Sequence, residues 1–491
     1  MRISSLHGGQ DYDIPNFTDD FSVTTNYMGP SPLGLEQIQS SLHSIQHYPK
    51  ESGEPHKSII AKWLFGHYYS ENDNLSNFLL GNGASELIDL LIRSSGIVQE
   101  ALYYVDDPQY MEYDRSCKNA SLKKTSKIEC ADIICIVNPC NPSGKYLKIV
   151  ELKSRILECK DGATVVIDES MQLWKGADFR EDSLVSQCAW IRSVFETRGI
   201  RVALIHSWTK FFACTGIRIG SIWLPTENMI APLLRIKTPW SCNILALEYL
   251  STAVQDKSYI TQVWNTTGLL RTQQAAKIIE TFPSWKVHGV EFLSWMWIEC
   301  PNSFTAIYLT QISKQNGTPI RWGGMGGYNR PSFIRIAVRK MEAFDSLLNA
   351  WKSAFAVSRK IATQLSKCSV DELICHEEVV EDSVVKLCGY LETLENYRTI
   401  PAILVDETTR IIIDGHHRYA ALKRLGLTTV DVVFVDYMNP SILVNVDNLE
   451  ITKQMVLGAK HQVLPAKTTR HAFISNGAVM PIICISKIVC I

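Results

Sequence analysis

No stretch of this chain approaches the roughly 20 consecutive apolar residues that a membrane-spanning helix needs. The most apolar segment, AVMPIICISKIVCI at 478–491, is interrupted by Pro481, Ser486 and Lys487, so a buried strand is its expected identity. A charge bias is missing as well. The formal net charge is −1, which gives no global pull toward nucleic acid or an anionic membrane and leaves small molecules or copies of the chain as partners. CxxC pairs are absent, the 14 cysteines stand singly, and the opening MRISSLHGGQ lacks the apolar core of a secretory signal. These absences predict a reduced, cytoplasmic protein. Internal repeats and low-complexity tracts are also lacking.

What is present is length and rhythm. At 491 residues the chain is long enough for two or three cores. From about 35 to 280, helical-period segments (LEQIQSSLHSIQ, SELIDLLIRSSG) alternate with short apolar runs (ALYYV, IICIV, ATVVID, VALIHS). That alternation predicts a mostly parallel sheet covered by helices on both faces. Residues 285–339 read as strands of an α+β subdomain, and the amphipathic stretch EAFDSLLNAWKSAFAVSRKIATQL closes the unit. The polar stretch around SKCSVDE separates it from a second rhythm of helix, two strands, helix and strand, the pattern of a separate small α/β domain. The expected division is 1–360 and 370–491.

Five segments of the first unit carry chemistry. In GNGASELI (81–88) the amides of Gly83 and Ala84, with Ser85, open a helix whose positive end suits a phosphate. Tyr110 follows the strand YYVD, where its ring can stack on a flat heterocycle. Asn141, in NPCNPSG, stands at the carboxyl end of IICIV, where ligands sit in open α/β sheets. Asp168 ends VVID, placed to pair with a protonated pyridine nitrogen. In SWTKFFACTGIRIGS, Lys210 lies among apolar and aromatic residues, a setting that favours the neutral, nucleophilic amine, with Ser207 and Arg218 flanking it as phosphate ligands. Each segment alone also fits an ordinary glycine turn, packed tyrosine, proline turn, helix cap or surface lysine. Their order along one chain is what distinguishes them.

With NPxNPxG, the strand-end Asp, SxTKxxxxxGxRxG and FIRIAVR in that order, residues 7 to about 355 resemble fold-type I aminotransferases. The nearest branch holds histidinol-phosphate aminotransferase and threonine-phosphate decarboxylase. HGG (7–9), DFSVTTNYMGP (20–30), HYP and PWSCNILA (239–246) bring the decarboxylase closer. The resemblance implies pyridoxal 5′-phosphate (PLP) bound covalently by Lys210 and the substrate carboxylate held by Arg335. His7, Asn26 and Arg321 would lie near the substrate, with His7 and Arg321 toward its phosphate. Tyr48 would reach a neighbouring subunit's cofactor, which implies a homodimer. Ser170 and Met171 depart from the family's usual residues, and Met171 lacks the hydroxyl that aminotransferases place beside the ring oxygen. Decarboxylation and transamination both remain open, because the angle at which the carboxylate is held is not written in the sequence.

In the second unit, IIIDGHHRYAALKRLG (411–426) reads as strand, tight turn and helix, with Gly415 allowing the bend and the following amides facing an anion. CHEEVVED (375–382) and PAKTTRH (465–471) add carboxylates, hydroxyls and cations. Together HE, DGHHR and KTTRH resemble the ParB/sulfiredoxin-like fold, in particular its free-serine kinase branch. The resemblance implies Glu377 as the base for a serine or threonine hydroxyl. Asp414, Gly415, His416, His417, Arg418, Lys467 and Thr468 would hold ADP or ATP with Mg²⁺, and Thr469 and His471 the amino acid. The stretch between DGHHR and KTTRH is shorter than in free-standing kinases. A DNA-binding reading lacks a basic helix-turn-helix after the phosphate motif, and a sulfinic-acid reductase lacks a cysteine beside it. A non-catalytic nucleotide-binding module that regulates the PLP unit is the other reading of this domain.

The expected whole is α/β: a PLP-dependent transferase of fold type I, with a mostly parallel seven-stranded sheet and a small α+β subdomain, followed by the ParB/sulfiredoxin-like domain. The expected chemistry is phosphorylation of free L-serine or L-threonine, then decarboxylation of the O-phospho-amino acid to a phospho-amine.

Overall fold

The computed structural model describes residues 7–71, 75–95, 100–392, 399–459 and 463–490. The stretch MRISSL, on which part of the leader argument rests, lies outside them, as do the last residue of SELIDLLIRSSG, the end of the helical pattern at Thr393 and Leu394, and Ile491.

Seven strands form the first sheet: β1 (Phe78–Gly81), β2 (Leu102–Val105), β3 (Lys123–Lys124), β4 (Ile133–Val137), β5 (Thr164–Asp168), β6 (Arg201–Ser207) and β7 (Gly220–Trp223). Their order is β1-β7-β6-β5-β4-β2-β3. Every pairing is parallel except those of β7, which runs antiparallel to both neighbours. All residues of β4 and β5 are buried, because helices cover both faces of the sheet. Alternation then divides each strand between two cores: Ile134, Ile136, Val165 and Ile167 join one, while Ile133, Cys135, Val137 and Val166 join the other.

The helix Lys257–Thr281, capped by Asp256, whose carboxylate accepts the Tyr259 amide, leaves this unit. Its start packs Tyr259, Ile260 and Val263 into the first core and its end packs Ile278 into the next. That next core lies against an antiparallel sheet ordered β10-β11-β9-β8, made of β8 (Lys286–His288), β9 (Trp295–Glu299), β10 (Arg321–Trp322) and β11 (Phe333–Ala337). The helix Ser303–Gln315 and the helix Met341–Ala356 pack on it.

The closing helix stops at Ala356, nine residues short of the end of the amphipathic pattern. The expected polar separator is instead a strand, β12 (Gln364–Ser369), at the edge of a third sheet ordered β12-β16-β14-β15. Backbone pairing with β16 along its whole length overrides its polar side chains, which an edge strand can leave in water. The rest of that part of the chain comprises β13 (Thr399–Pro401), β14 (Ile403–Asp406), β15 (Ile412–Asp414), β16 (Thr429–Val435), β17 (Ile442–Leu443), β18 (Ala472–Ser475), β19 (Ala478–Pro481) and β20 (Ile488–Cys490). The apolar C-terminal segment is therefore not one buried strand. It is β19, a 3₁₀ turn at Ile482–Ile485 and β20 paired to β13, and Ile488 is 66% exposed. Pro481 and Ser486 bracket the turn.

The two parts of the chain share apolar packing. Val446, Ala472, Ile474 and Val479 belong to the same buried cluster as Trp285, Trp351 and Phe355. Among the described residues no helix is long and apolar enough to cross a membrane.

Candidate functional site

Four parallel strands and the loops after them aim their carboxyl ends at one pocket. Asp168 ends β5, Ser207 ends β6 with Lys210 three residues on, Asn141 follows β4 and Tyr110 follows β2. Ala84 and Ser85 open the helix after β1, and all of these line the pocket together with Ser170, Met171 and Arg218. Gly83 sits at φ +78°, and a Cβ there would lie 2.4 Å from Arg218 Nη2. Glycine is thus what lets the guanidinium lie against the helix start, where two positive ends meet.

Lys210 is half-buried at the pocket wall, and its ammonium is brought down to about 8 by loss of solvent, with repulsion from Arg218 adding to it. Its Nζ donates to Thr209 Oγ1 at 3.1 Å. Asp168 is 4% exposed and burial pushes its carboxyl up, against hydrogen bonds from Ser170 and Tyr113. Tyr113 Oη donates to Asp168 Oδ2 at 2.9 Å and the Ser170 amide to Oδ1 at 2.9 Å. Among the described residues no cationic side chain forms an ion pair with this buried carboxylate. A protonated pyridine nitrogen is the kind of partner it suits, and the flat ring, aldehyde and phosphate of PLP match Tyr110, Lys210 and the Ser85–Ser207–Arg218 group in turn.

The antiparallel sheet supplies two arginines. Arg321 on β10 stands directly opposite Arg335 on β11, so both side chains leave the same face. Arg335 Nη1 donates to Asn141 Oδ1 at 2.5 Å and Nη2 to the Ser22 carbonyl at 2.6 Å, while its buried Nε has no partner. His7 Nε2 lies 3.0 Å from Glu112 Oε1. Burial alone would raise Glu112, but hydrogen bonds from His7 and Arg115 bring it to about 2. Asn26 commits both amide hydrogens to Phe211 O and Tyr259 Oη, and its oxygen accepts the Met28 amide. It therefore fastens the N-terminal segment beside Lys210, whose carbonyl accepts the Asn26 amide. Tyr48 is 77% exposed and stacks on Trp240 at 4.4 Å; it does not line this pocket.

A second cleft of 380 Å³ lies in the C-terminal part. Glu377 and Glu378 line it with Asp414, Gly415, His416, His417 and Arg418, and with Lys467, Thr469 and His471 from the loop before β18. Gly415 follows β15 at φ +104°, where a Cβ would meet the Arg418 guanidinium at 2.8 Å. Arg418 Nη2 donates to Asp414 Oδ2 at 2.7 Å, and its buried Nε has no partner. Glu377 accepts the Thr468 amide and, at 2.8 Å, the Thr469 hydroxyl. Thr468 itself turns its hydroxyl to the Pro465 carbonyl and does not line the cleft. His417 Nε2 accepts the Val380 amide. Behind the cleft, His376 contacts Thr469 Oγ1 at 3.1 Å and His416 at 3.1 Å, and His471 meets Tyr437 Oη at 2.8 Å. Burial lowers His376 to about 4 and His416 to about 3, and lowers His471 as well.

Several participants were not singled out from the sequence. Tyr113 lies three residues after Tyr110, and that spacing was its one signal. His376 was visible only as the neighbour of Glu377. Phe304 and Arg470 also line the second cleft, and nothing in their local sequence connects them.

The sequence profile of the family "Aminotransferase class I and II" matches residues 35–281. A histidinol-phosphate aminotransferase of Pseudomonas aeruginosa is 22% identical over 349 residues, covering 66% of this chain and 86% of that one. Among solved structures, histidinol-phosphate aminotransferase from Sinorhizobium meliloti in complex with pyridoxal-5′-phosphate superposes with a TM-score of 0.59 at 15% identity, over 69% of this chain and 90% of the other. L-threonine-O-3-phosphate decarboxylase from Porphyromonas gingivalis gives 0.57 at 17% identity, over 68% and 99%. These likenesses establish fold type I for the first two-thirds of the chain.

Proposed function

Because the chain belongs to the class I and II aminotransferase family of PLP-dependent enzymes, we propose that it runs two consecutive reactions. The C-terminal cleft phosphorylates free L-serine or L-threonine. The pocket around Lys210 then decarboxylates the O-phospho-amino acid to ethanolamine phosphate or 1-aminopropan-2-yl phosphate. The observation that carries this reading is the pairing in one chain of a Lys210–Asp168 pocket with a carboxylate-and-cation cleft around Glu377 and Arg418.

When bound, PLP supplies an electron sink into which a bond to the substrate's Cα breaks. The chain's residues do the rest. Asp168, steadied by Tyr113, holds the ring nitrogen, and Ser85, Ser207 and Arg218 hold the cofactor phosphate. Arg335 takes the substrate carboxylate in a bidentate grip, and Arg321 with His7 takes the substrate's phosphate. The choice of broken bond lies in how Arg335 sets the carboxylate. Met171, with a thioether where aminotransferases place a hydroxyl, supports loss of CO₂. The relative from Porphyromonas gingivalis, by its name, acts on a phospho-amino acid in this way.

In the C-terminal cleft Glu377 takes the proton of the amino-acid hydroxyl. Asp414 through Arg418, with Lys467, position ADP or ATP and Mg²⁺, while Thr469 and His471 position the amino acid; Thr468, whose amide is held by Glu377, takes no part. Phosphoryl transfer needs such positioning and charge neutralisation more than covalent help. The exposed Tyr48–Trp240 stack, with Leu33, Leu35, Leu42 and Ile45 also exposed, supports a homodimer in which Tyr48 reaches the other subunit's cofactor. A cytoplasmic setting belongs to the same reading.

Transamination, with the C-terminal part as a nucleotide-binding regulator, is the second reading. The histidinol-phosphate aminotransferases among the relatives favour it, as does the core shared by the two parts. Mass spectrometry decides between them, using purified protein with PLP, Mg²⁺, ADP or ATP, and L-serine or L-threonine, without a keto acid. A decarboxylated phospho-amine is expected. Accumulation of the O-phospho-amino acid alone would replace decarboxylation with transamination, and no phosphorylated product would overturn the kinase assignment.

A further inference from the structure

Among the described residues, the wall of the C-terminal cleft contains one from the other part of the chain. Phe304 lies in the first turn of the helix Ser303–Gln315, which packs on the antiparallel sheet of the aminotransferase unit, yet it lines the cleft together with Arg470, Pro481 and Ile482. The Arg470 guanidinium lies 4.4 Å from the centre of the Phe304 ring. Its Nη1 is tied to Asp447 Oδ2 at 2.9 Å. The helix start is itself fixed to β19, where the Val479 amide donates to Thr305 Oγ1 at 2.9 Å and Asn302 Nδ2 lies 3.4 Å from Met480 Sδ. Asn302 also caps the helix by accepting the Thr305 amide.

We propose that the Phe304–Arg470 cation–π pair is the platform for the nucleotide's base, so that the aminotransferase unit completes the nucleotide site. The inference rests on the nucleotide reading of this cleft. Arg418, Lys467 and the amides after Gly415 offer phosphate chemistry. Pro481, Ile482 and the Phe304–Arg470 pair offer planar and apolar surface, to which a bare polyphosphate has nothing to give. A guanidinium over an aromatic ring is planar and can also stack on a heterocycle, adding charge to dispersion. Asp447 holds the guanidinium through Nη1.

The test is calorimetric titration of the whole PLP-loaded chain with ADP, with ATP and separately with inorganic tripolyphosphate, each with Mg²⁺. Arg470→Lys keeps the charge and removes the planar face. Phe304→Leu keeps apolar volume at the joint and removes the ring. Each variant is expected to weaken ADP binding roughly tenfold and to leave tripolyphosphate binding within about twofold, while the visible spectrum of the bound cofactor is unchanged. Equal losses for both ligands, or no loss for ADP, would overturn the platform and leave the phosphate reading standing. Wild-type protein that binds neither ADP nor ATP would overturn platform and nucleotide reading together. ADP binding with selective losses in both variants but no phosphorylated amino acid would keep the platform and sink the kinase.

Discussion

Lys210 and Asp168 both lose solvent, and this acts on them in opposite senses: it makes the amine easier to deprotonate and the carboxyl harder. For the amine the direction serves the chemistry, since only the neutral form attacks an aldehyde. With its ammonium at about 8, the reactive fraction rises with pH through about 8 and then saturates, well below the 10.4 of an ordinary lysine. Covalent uptake of PLP by cofactor-free protein, followed by its visible absorbance, should therefore accelerate from pH 7 to about 8.5 and then level off. A rate still climbing at pH 10 would show that the amine is not held in a desolvated pocket. Tyr113 acts on the other member of the pair. Its bond to Asp168 spans 55 residues of sequence, so no local pattern announces it, although the ring three positions earlier was legible as a stacking candidate.

At the scale of elements, what could be read from the sequence is what is locally repetitive. The runs IICIV and ATVVID announce strands buried on both faces because every residue before the closing Asp168 is apolar or small, and the glycine before ASELI announces a helix start. The strand β12 was not legible, since Gln364, Ser366 and Lys367 lie at an edge where backbone pairing alone decides. The placement of Phe304 in a cleft of the other sheet depends on packing between distant segments and leaves no local trace. The Gly83 turn shows how much one element boundary matters. Gly83→Ala strains a left-handed backbone and drives a methyl group into Arg218, so it should lower stability by about 1–3 kcal/mol and weaken PLP binding, as read by thermal melting and cofactor titration. Unchanged cofactor affinity would separate the turn from the phosphate site. Two buried histidines at the second cleft make a pH prediction. His376 and His416 are held at about 4 and about 3, below the ordinary value near 6.5, so the unfolded chain binds protons that the folded chain refuses. Their contribution is complete above about pH 6.5 and is lost as pH falls toward 4. The denaturation midpoint of wild type should drop more between pH 7 and pH 5 than that of His416→Gln, and parallel profiles would remove His416 from the account.

For the whole molecule, the shared core decides whether the two parts behave as one. Ile474 is 1% exposed and belongs, with Val446, Ala472 and Val479, to the cluster that includes Trp285, Trp351 and Phe355. Ser441 reinforces the joint by donating to the Arg359 carbonyl at 2.8 Å while accepting the Arg359 amide. Truncating a buried isoleucine removes its transfer free energy and leaves a cavity that the surroundings fill only in part, about 2–5 kcal/mol in a rigid core. Because residues from both sides line that cavity, Ile474→Ala is felt by the aminotransferase unit although the side chain lies far along the chain in β18. The visible absorbance of bound PLP reports melting of the first unit alone, and far-ultraviolet circular dichroism reports both. The two signals should melt together in wild type and should both shift to lower temperature in Ile474→Ala. A cofactor signal that keeps its midpoint while only part of the dichroism moves would mean that the joint transmits no stability. In that case a ligand in the second cleft would have no route through this core to the pocket around Lys210, and any link between the two reactions would lie in the shared intermediate alone.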